Sequence, residues 1–182
     1  MVDNVEGRRI CYNIRYTMYC ISKKYEKPRR VNKEMEVDKY DHNSTHFLIR
    51  TDNTWTGTVR LMHRKNRKLP IETLFDIVLQ EGDIEVSRLS CIRHKESYAT
   101  LSKLVHTVLS FWKDKDYKTT CLVTNKRVAN ILTKVGIPLI KYNDKGIQHK
   151  GIRYAYIVDM EAYNDRPIEY RLFSEFVDDI VD

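Results

Sequence analysis

A chain of 182 residues, 42% hydrophobic and 31% charged, has the composition of a folded globular protein and not of a disordered tract. Its formal charge of +7 points to an acidic partner, whether nucleic acid, an anionic membrane or an acidic protein. No apolar run reaches the ~18–20 residues of a membrane span, the opening MVDNVEGRR has no apolar signal core, and Cys11, Cys20, Cys91 and Cys121 form no C-x-x-C pair, so the sequence reads as one cytoplasmic domain with reduced, packed thiols.

In chain order, Ile10, Ile14, Met18 and Ile21 recur at helical spacing and predict a helix over 8–24. Pro28 and a basic cluster open a connection to Asp41. HFLI (46–49) and WTGTVRL (55–61), joined by RTDNT, predict an antiparallel hairpin. A polar loop runs to Pro70, and IETLFDIVL predicts a short helix. DIEVSRLSCI (83–92) is a strand. YATLSKLVHTVLSFW then sets Leu101, Leu104, Val105, Val108, Leu109 and Trp112 on one helical stripe. TTCLVTN (119–125) is a strand, and Val128, Ile131, Leu132 and Val135 mark a helix that Gly136 stops with a left-handed cap. IRYAYIVDM (152–160) is the last strand. The alternation in the second half argues for a mixed α/β sheet in which 83–92 and 119–125 form a parallel pair. The domain divides into an N-terminal helix and connection (1–45), a core of sheet and helices (46–160) and an acidic tail (161–182).

Basic residues concentrate in 23–33 and 60–68, whereas the tail holds seven acidic residues against two arginines. A solvated face is the plain reading of both basic runs. Only Tyr25 interrupts the first with a stacking aromatic, and no nucleic-acid-binding module is legible.

Glu36, Asp38 and Asp41 crowd three carboxylates into E-x-D-x-x-D, and like charges that close need neutralising. Arg15, with Tyr19 one helical turn on, Arg60 in GTVRL and Arg88 in EVSRL lie inside otherwise apolar elements. A buried guanidinium is costly unless carboxylates or a ligand pair with it, and its planar fork suits carboxylates. The expected neutralisation is internal: Glu36, Asp38, Asp41 and Glu85 against Arg15, Arg60 and Arg88. A metal is the competing reading, on Asp38, Asp41, His42 and His46, two of them histidines at i and i+4. Cys20 as a nucleophile is a third, set against ordinary packing.

The order Arg15/Tyr19, Tyr25, Glu36/Asp38/Asp41, Arg60, Glu85/Ser87/Arg88 resembles the autoinducer (acyl-homoserine-lactone) synthases. It resembles more closely the N-acyl amino acid synthases and the PEP-CTERM exosortase-associated acyltransferases, whose style the phrases RYTMYC, YDHNSTHFL, GTVRL, LPIE and EVSRL share. The resemblance covers about residues 10–160. It implies a GNAT-like fold, a mixed central sheet flanked by helices with a splayed parallel strand pair. It implies acyl transfer from a thioester to an amine. It also implies a β-bulge at 86–89, since Glu85 and Arg88 face opposite ways in a regular strand.

Such a transfer needs a proton acceptor and donors for the developing oxyanion. Glu36 and Glu85 are the expected catalytic carboxylates. Arg15, Tyr19, Tyr25, Asp38, Asp41, Arg60, Ser87 and Arg88 are expected to bind or orient the acceptor, and bulge N–H groups to meet the thioester oxygen. Leu89, Cys91, Leu104, Leu122 and Val123 are expected to line the acyl channel, with Arg93 toward the donor. Where CoA-dependent relatives carry a glycine-rich pyrophosphate loop, RHKESYA (93–99) has Glu96 and Tyr98. That favours an acyl carrier protein, an acidic partner for the basic face, over acyl-CoA as donor. No bound cofactor, metal or nucleic acid is expected. The alternatives are a non-catalytic GNAT-like module for an acidic partner or acyl chain, a plain acetyltransferase, and a homoserine-lactone synthase.

Overall fold

The computed structural model describes residues 1–26, 34–92, 97–115, 117, 119–134 and 136–164; the basic stretch 27–33, Arg93 and the tail from 165 lie outside it. Two compact units emerge, Met1–His63 with Val86–Asp116, and Arg64–Glu85 with Tyr117–Asp182.

In the first unit, α1 (Val5–Arg15) starts at Asn4, whose side chain accepts the Gly7 N–H at 2.7 Å. A π-helix, Tyr16–Ser22, continues it. The wider turn explains one departure from the expected face. Ile14 is buried, but three residues beyond Met18 no longer complete a turn, so Ile21 is exposed and Cys20 is buried instead. A single 3₁₀ turn, Asp41–Asn43, leads into β1 (Ser44–Thr51). It pairs antiparallel with β2 (Thr54–His63), His46 opposite Arg60. The turn between them places Asp52 and Asn53 at φ 46° and 61°, the left-handed pair that a tight hairpin needs. β3 (Ile84–Cys91) follows β2 in the sheet.

The hairpin is covered on both faces. Tyr12 of α1 meets His46 edge-on at 5.7 Å, while Phe47, one residue on, meets Phe111 of α3 (Ser97–Lys115) at 5.2 Å. Leu104, Val105, Val108, Leu109 and Trp112 form a buried stripe on α3, while Leu101, predicted with them, is half-buried. The helix comes closest at Gly57, where a Cβ would stand 2.6 Å from Thr100 Cγ2 and 2.8 Å from Leu104 Cδ1. Beside that contact Thr51, Thr56 and Thr100 close a buried triangle of hydroxyls at 3.0, 3.2 and 3.2 Å.

β3 carries the expected irregularity. Arg64 donates to the Asp83 carbonyl and Ile92 to that of Thr56, so eight steps along one chain face nine along the other. Arg88 sits inside the strand at φ 53°, a left-handed backbone in a non-glycine residue.

In the second unit, β3's first residues, β4 (Thr120–Thr124), β7 (Ile152–Val158) and β5 (Leu139–Lys141) succeed one another, with β6 (Ile147–Gln148) on β7. β7 is antiparallel to β4, β5 and β6, while β3 and β4 are the parallel pair that the alternation predicts. Helix α4 (Lys126–Lys134) ends as expected before Gly136 at φ 86°, and α5 (Met160–Asn164) closes the described chain. The expected helix in IETLFDIVL is shorter: α2 is Pro70–Phe75, stopped by Asp76 at φ 55°. Beyond it Ile77 and Leu79 are buried and Val78 is exposed, the alternation of extended chain.

Candidate functional site

Four separate stretches of the first unit deliver one buried knot of charge. Arg15, in the last turn of α1, is fully buried; its Nη1 and Nη2 bind the two oxygens of Asp41 at 2.6 and 3.1 Å, and its Nε binds Glu36 at 2.6 Å. Arg60, from β2, reaches Asp38 at 2.7 Å and Asp41 at 2.8 Å through Nη1, and Ser87 Oγ at 3.0 Å through Nε. Arg88, from the β3 bulge, holds Glu36 at 2.9 Å, Asp38 at 3.1 Å and Glu26 at 3.4 Å through Nη2. The acidic segment is itself tied down: Glu36 N–H donates to the Tyr12 carbonyl, Asp41 accepts the Asp38 N–H and Asp38 the Tyr40 N–H.

Burial pushes the carboxyls of Glu36, Asp38 and Asp41 up, but the guanidinium charges and hydrogen bonds outweigh it. Arg15 and Arg88 hold Glu36 below the usual carboxylate range, Arg60 and Arg88 do so for Asp38, and Arg15 and Arg60 hold Asp41 far below it. The cluster therefore holds these three carboxyls ionised at neutral pH. It grades outward: Arg15 and Arg60 are at most 1% exposed, whereas Arg88 is 21% and Glu26 26% exposed. At that outer end the Tyr19 ring lies 5.4 Å from the Arg88 guanidinium and 6.5 Å from the Tyr25 ring, and Tyr25 is exposed.

The sequence-predicted residues thus meet in large part: Arg15, Tyr19, Glu36, Asp38, Asp41, Arg60, Ser87 and Arg88 are linked directly, with Tyr25 alongside. Glu85 lies in the second unit, is buried, and accepts the Ile71 N–H at the start of α2 at 3.0 Å. Of the expected channel residues, Leu104 is fully buried and Leu89 and Cys91 half-buried in the first unit; Leu122 and Val123 belong to β4 of the second. Burial pushes the Cys91 thiol up to about 12, which keeps it protonated at neutral pH. Arg93 is outside the described residues.

Three participants escaped the sequence reading. Glu26 is the one acid in a basic run and reads as a solvated charge until Arg88 reaches it. Tyr12 precedes Arg15 by three positions on α1, and its ring lies 5.2 Å from that guanidinium. His46 and His42 read as surface histidines, a metal pair being the competing reading, but the strand buries His46 and leaves only His42 exposed. His46 Nε2 stands 3.3 Å from the Asp41 carbonyl, and burial pushes its pKa down to about 4, so it donates there as a neutral ring. Among the described residues no group of three His, Cys, Asp or Glu could hold a metal ion, and no helix is long and apolar enough to cross a membrane.

Residues 10–137 match the family described as N-acyl amino acid synthase FeeM. Among solved structures, the chain is similar to the acyl-homoserine-lactone synthase LasI at 14% identity and TM-score 0.72, over 86% of this chain and 84% of that one. It is similar to BjaI, a CoA-dependent acyl-homoserine lactone synthase solved with SAM and isopentyl-CoA, at 15% identity and TM-score 0.71, over 93% and 80% of the two chains. It is similar to FeeM itself, from uncultured soil microbes, at 12% identity and TM-score 0.65, over 87% and 94%. A likeness at such identities establishes a shared fold. No curated protein matches the sequence.

Proposed function

The chain belongs to the N-acyl amino acid synthase FeeM family, and from that premise we propose that it moves a fatty acyl group from a carrier-protein thioester to the amine of an amino acid or a related metabolite. It is an N-acyltransferase with a thioester donor. The observation that carries the reading is the ionised knot of Arg15, Arg60 and Arg88 with Glu36, Asp38 and Asp41, graded from a sealed interior to a part-exposed end beside the β3 bulge.

The chemistry assigns the residues. The amine nitrogen attacks the thioester carbonyl carbon, the C–S bond breaks, and the carrier leaves as a thiol. The amine arrives mostly protonated. Glu36, kept ionised by Arg15 and Arg88, draws the ammonium in electrostatically; because its pKa is lowered it is a weak base, and it passes the proton to water instead of retaining it. Arg88 is the most exposed of the three guanidiniums and is the one assigned to the acceptor's carboxylate, with Tyr25 at the rim. Asp38, Asp41, Arg15 and Arg60 hold this arrangement. The bulge backbone meets the oxyanion. Glu85 is the second carboxylate proposed for proton transfer; its bond to Ile71 gives it a structural task in the second unit, so its substitution is read on its own.

Carrier protein is proposed over CoA on the sequence of 93–99 and on the charge of the chain. Arg60 is no part of the basic face, since it is spent inside the cluster; Lys65, Arg67 and Lys68 of the same run are exposed. Arg93 is assigned to the donor, and Leu89, Cys91, Leu104, Leu122 and Val123 to the acyl chain. The tyrosines at 19 and 25 support the exosortase-associated branch. A cytoplasmic location suits the four cysteines, all of them free.

The test is thiol release by the purified protein from long-chain acyl-carrier protein and, separately, acyl-CoA, against a panel of amino acids and amines. Amine-dependent thiol release is expected, faster from the carrier protein and slowed by Lys65→Glu/Lys68→Glu. Turnover from acyl-CoA alone, indifferent to those lysines, overturns the choice of donor, and no amine-dependent release from either overturns the reading.

A further inference from the structure

We propose that Tyr19 is a positioning residue whose hydroxyl fixes the β3 bulge at Arg88 and Leu89, and with it the backbone that receives the thioester carbonyl; the inference rests on the acyl-transfer reading above. Tyr19 Oη donates to the Leu89 carbonyl at 3.1 Å, across 70 positions of sequence. Its ring lies 5.4 Å from the Arg88 guanidinium. Its own carbonyl accepts the N–H groups of Tyr25 at 2.7 Å and Glu26 at 3.1 Å, and Glu26 stands 3.4 Å from Arg88 Nη2. One residue therefore touches the bulged residue, the residue after it, and the acid that flanks the bulged guanidinium.

A non-glycine backbone at φ 53° persists only where its surroundings over-determine it. Glu36 and Asp38 grip the far end of the Arg88 side chain, but four flexible side-chain torsions separate that grip from the backbone. Tyr19 acts on the backbone itself, through a rigid ring rooted in the π-helix. The Leu89 carbonyl and the Ser90 N–H share one planar peptide unit, so a hydroxyl holding the oxygen sets where that N–H points. The preceding unit is held as well, because Ser90 Oγ donates to the Arg88 carbonyl at 3.3 Å. Two successive peptide planes at the bulge are thus fixed by side chains. The hydroxyl, being committed to Leu89, orients this backbone and leaves acceptor contact to the ring.

Tyr19→Phe keeps the ring and removes the hydroxyl, with Tyr142→Phe, an exposed tyrosine of the second unit, as control. The expected result is a kcat lower by on the order of ten- to a hundred-fold with the KM for the amine within about two-fold, because misplaced donors act on the transition state. The Leu89 and Ser90 amide resonances shift in Tyr19→Phe and stay put in the control. A normal kcat with unmoved amides overturns the proposal, as does an effect confined to the amine's KM. If the unaltered protein acylates nothing, the resonances alone decide, so the bulge tether and the acyl-transfer reading fail separately. Should Tyr19→Phe not fold, hydrogen–deuterium exchange of the Tyr19 hydroxyl in the unaltered protein is read as an isotope shift on the Leu89 carbonyl carbon; its absence overturns the tether.

Discussion

Arg15 grips Asp41 with both terminal nitrogens, at 2.6 and 3.1 Å, in an interior where Arg15 is 0% exposed. Neither charge is tolerable there alone, and Arg60 on the same Asp41 oxygen at 2.8 Å makes the three a unit. Asp41→Asn leaves two buried guanidiniums short of an anion and is expected to lower stability by roughly 3–5 kcal/mol. Arg15→Lys keeps the charge but loses the fork, so it falls between the unaltered protein and Asp41→Asn in urea unfolding. An Asp41→Asn protein within about 1 kcal/mol of the unaltered one contradicts this account of the cluster.

The acid limb of the stability profile has two parts. His46 is held neutral by burial, with a pKa of about 4 against an ordinary 6.5. The unfolded chain takes that proton first, so stability is fully present above about pH 6.5 and falls on the way to about pH 4, by on the order of 3 kcal/mol. Glu36, Asp38 and Asp41 have lowered pKa values, and their contribution is lost only below about pH 4. His46→Gln, whose amide still donates to the Asp41 carbonyl, is expected to flatten the first part and spare the second. Chemical denaturation at half-unit pH steps reads both, and an unaltered slope between pH 6 and 4 in His46→Gln counts against a buried neutral ring.

Gly57→Ala is expected to destabilise by about 1–3 kcal/mol, because its Cβ would meet Thr100 Cγ2 and Leu104 Cδ1 at distances real Cβ atoms do not show. Thr100 has little freedom to retreat, its hydroxyl being bound to Thr51 and Thr56. A thermal midpoint equal to that of the unaltered protein would mean that α3 approaches β2 less closely than described.

The arginine–carboxylate cluster was legible in the sequence because guanidiniums inside apolar elements demand anions, and E-x-D-x-x-D was the dense supply. The bulge was expected from the family resemblance, and Arg88 at φ 53° carries it. The hairpin and α3 followed from their periodicities. What the sequence hid depends on tertiary context. The spacing that continues past Phe75 fits a helix as well as extended chain, and Glu72 decides it by accepting the Leu79 N–H as well as that of Leu69. β5 and β6, of three and two residues, carry no periodicity and exist because β7 offers an edge to each. Glu85 is equivalent to Glu36 by residue type, and only the tertiary structure brings the Ile71 N–H at the start of α2 to it.

Glu36→Gln preserves shape and removes the charge that draws the ammonium. It is expected to raise the amine's KM and lower kcat, together costing on the order of a hundred-fold or more in kcat/KM, with the donor's KM unchanged. Steady-state kinetics varying each substrate in turn separates these effects. A donor-side defect would place Glu36 elsewhere in the reaction.

Mass spectrometry of lipids from cells overproducing the protein, beside cells making Glu36→Gln at equal soluble level, tests the central claim most directly. An N-acylated amine that accumulates with the unaltered protein and falls to background with the variant is the predicted result. The same product at the same level from both, or no new N-acyl species from either, would contradict an acyltransferase built around this cluster.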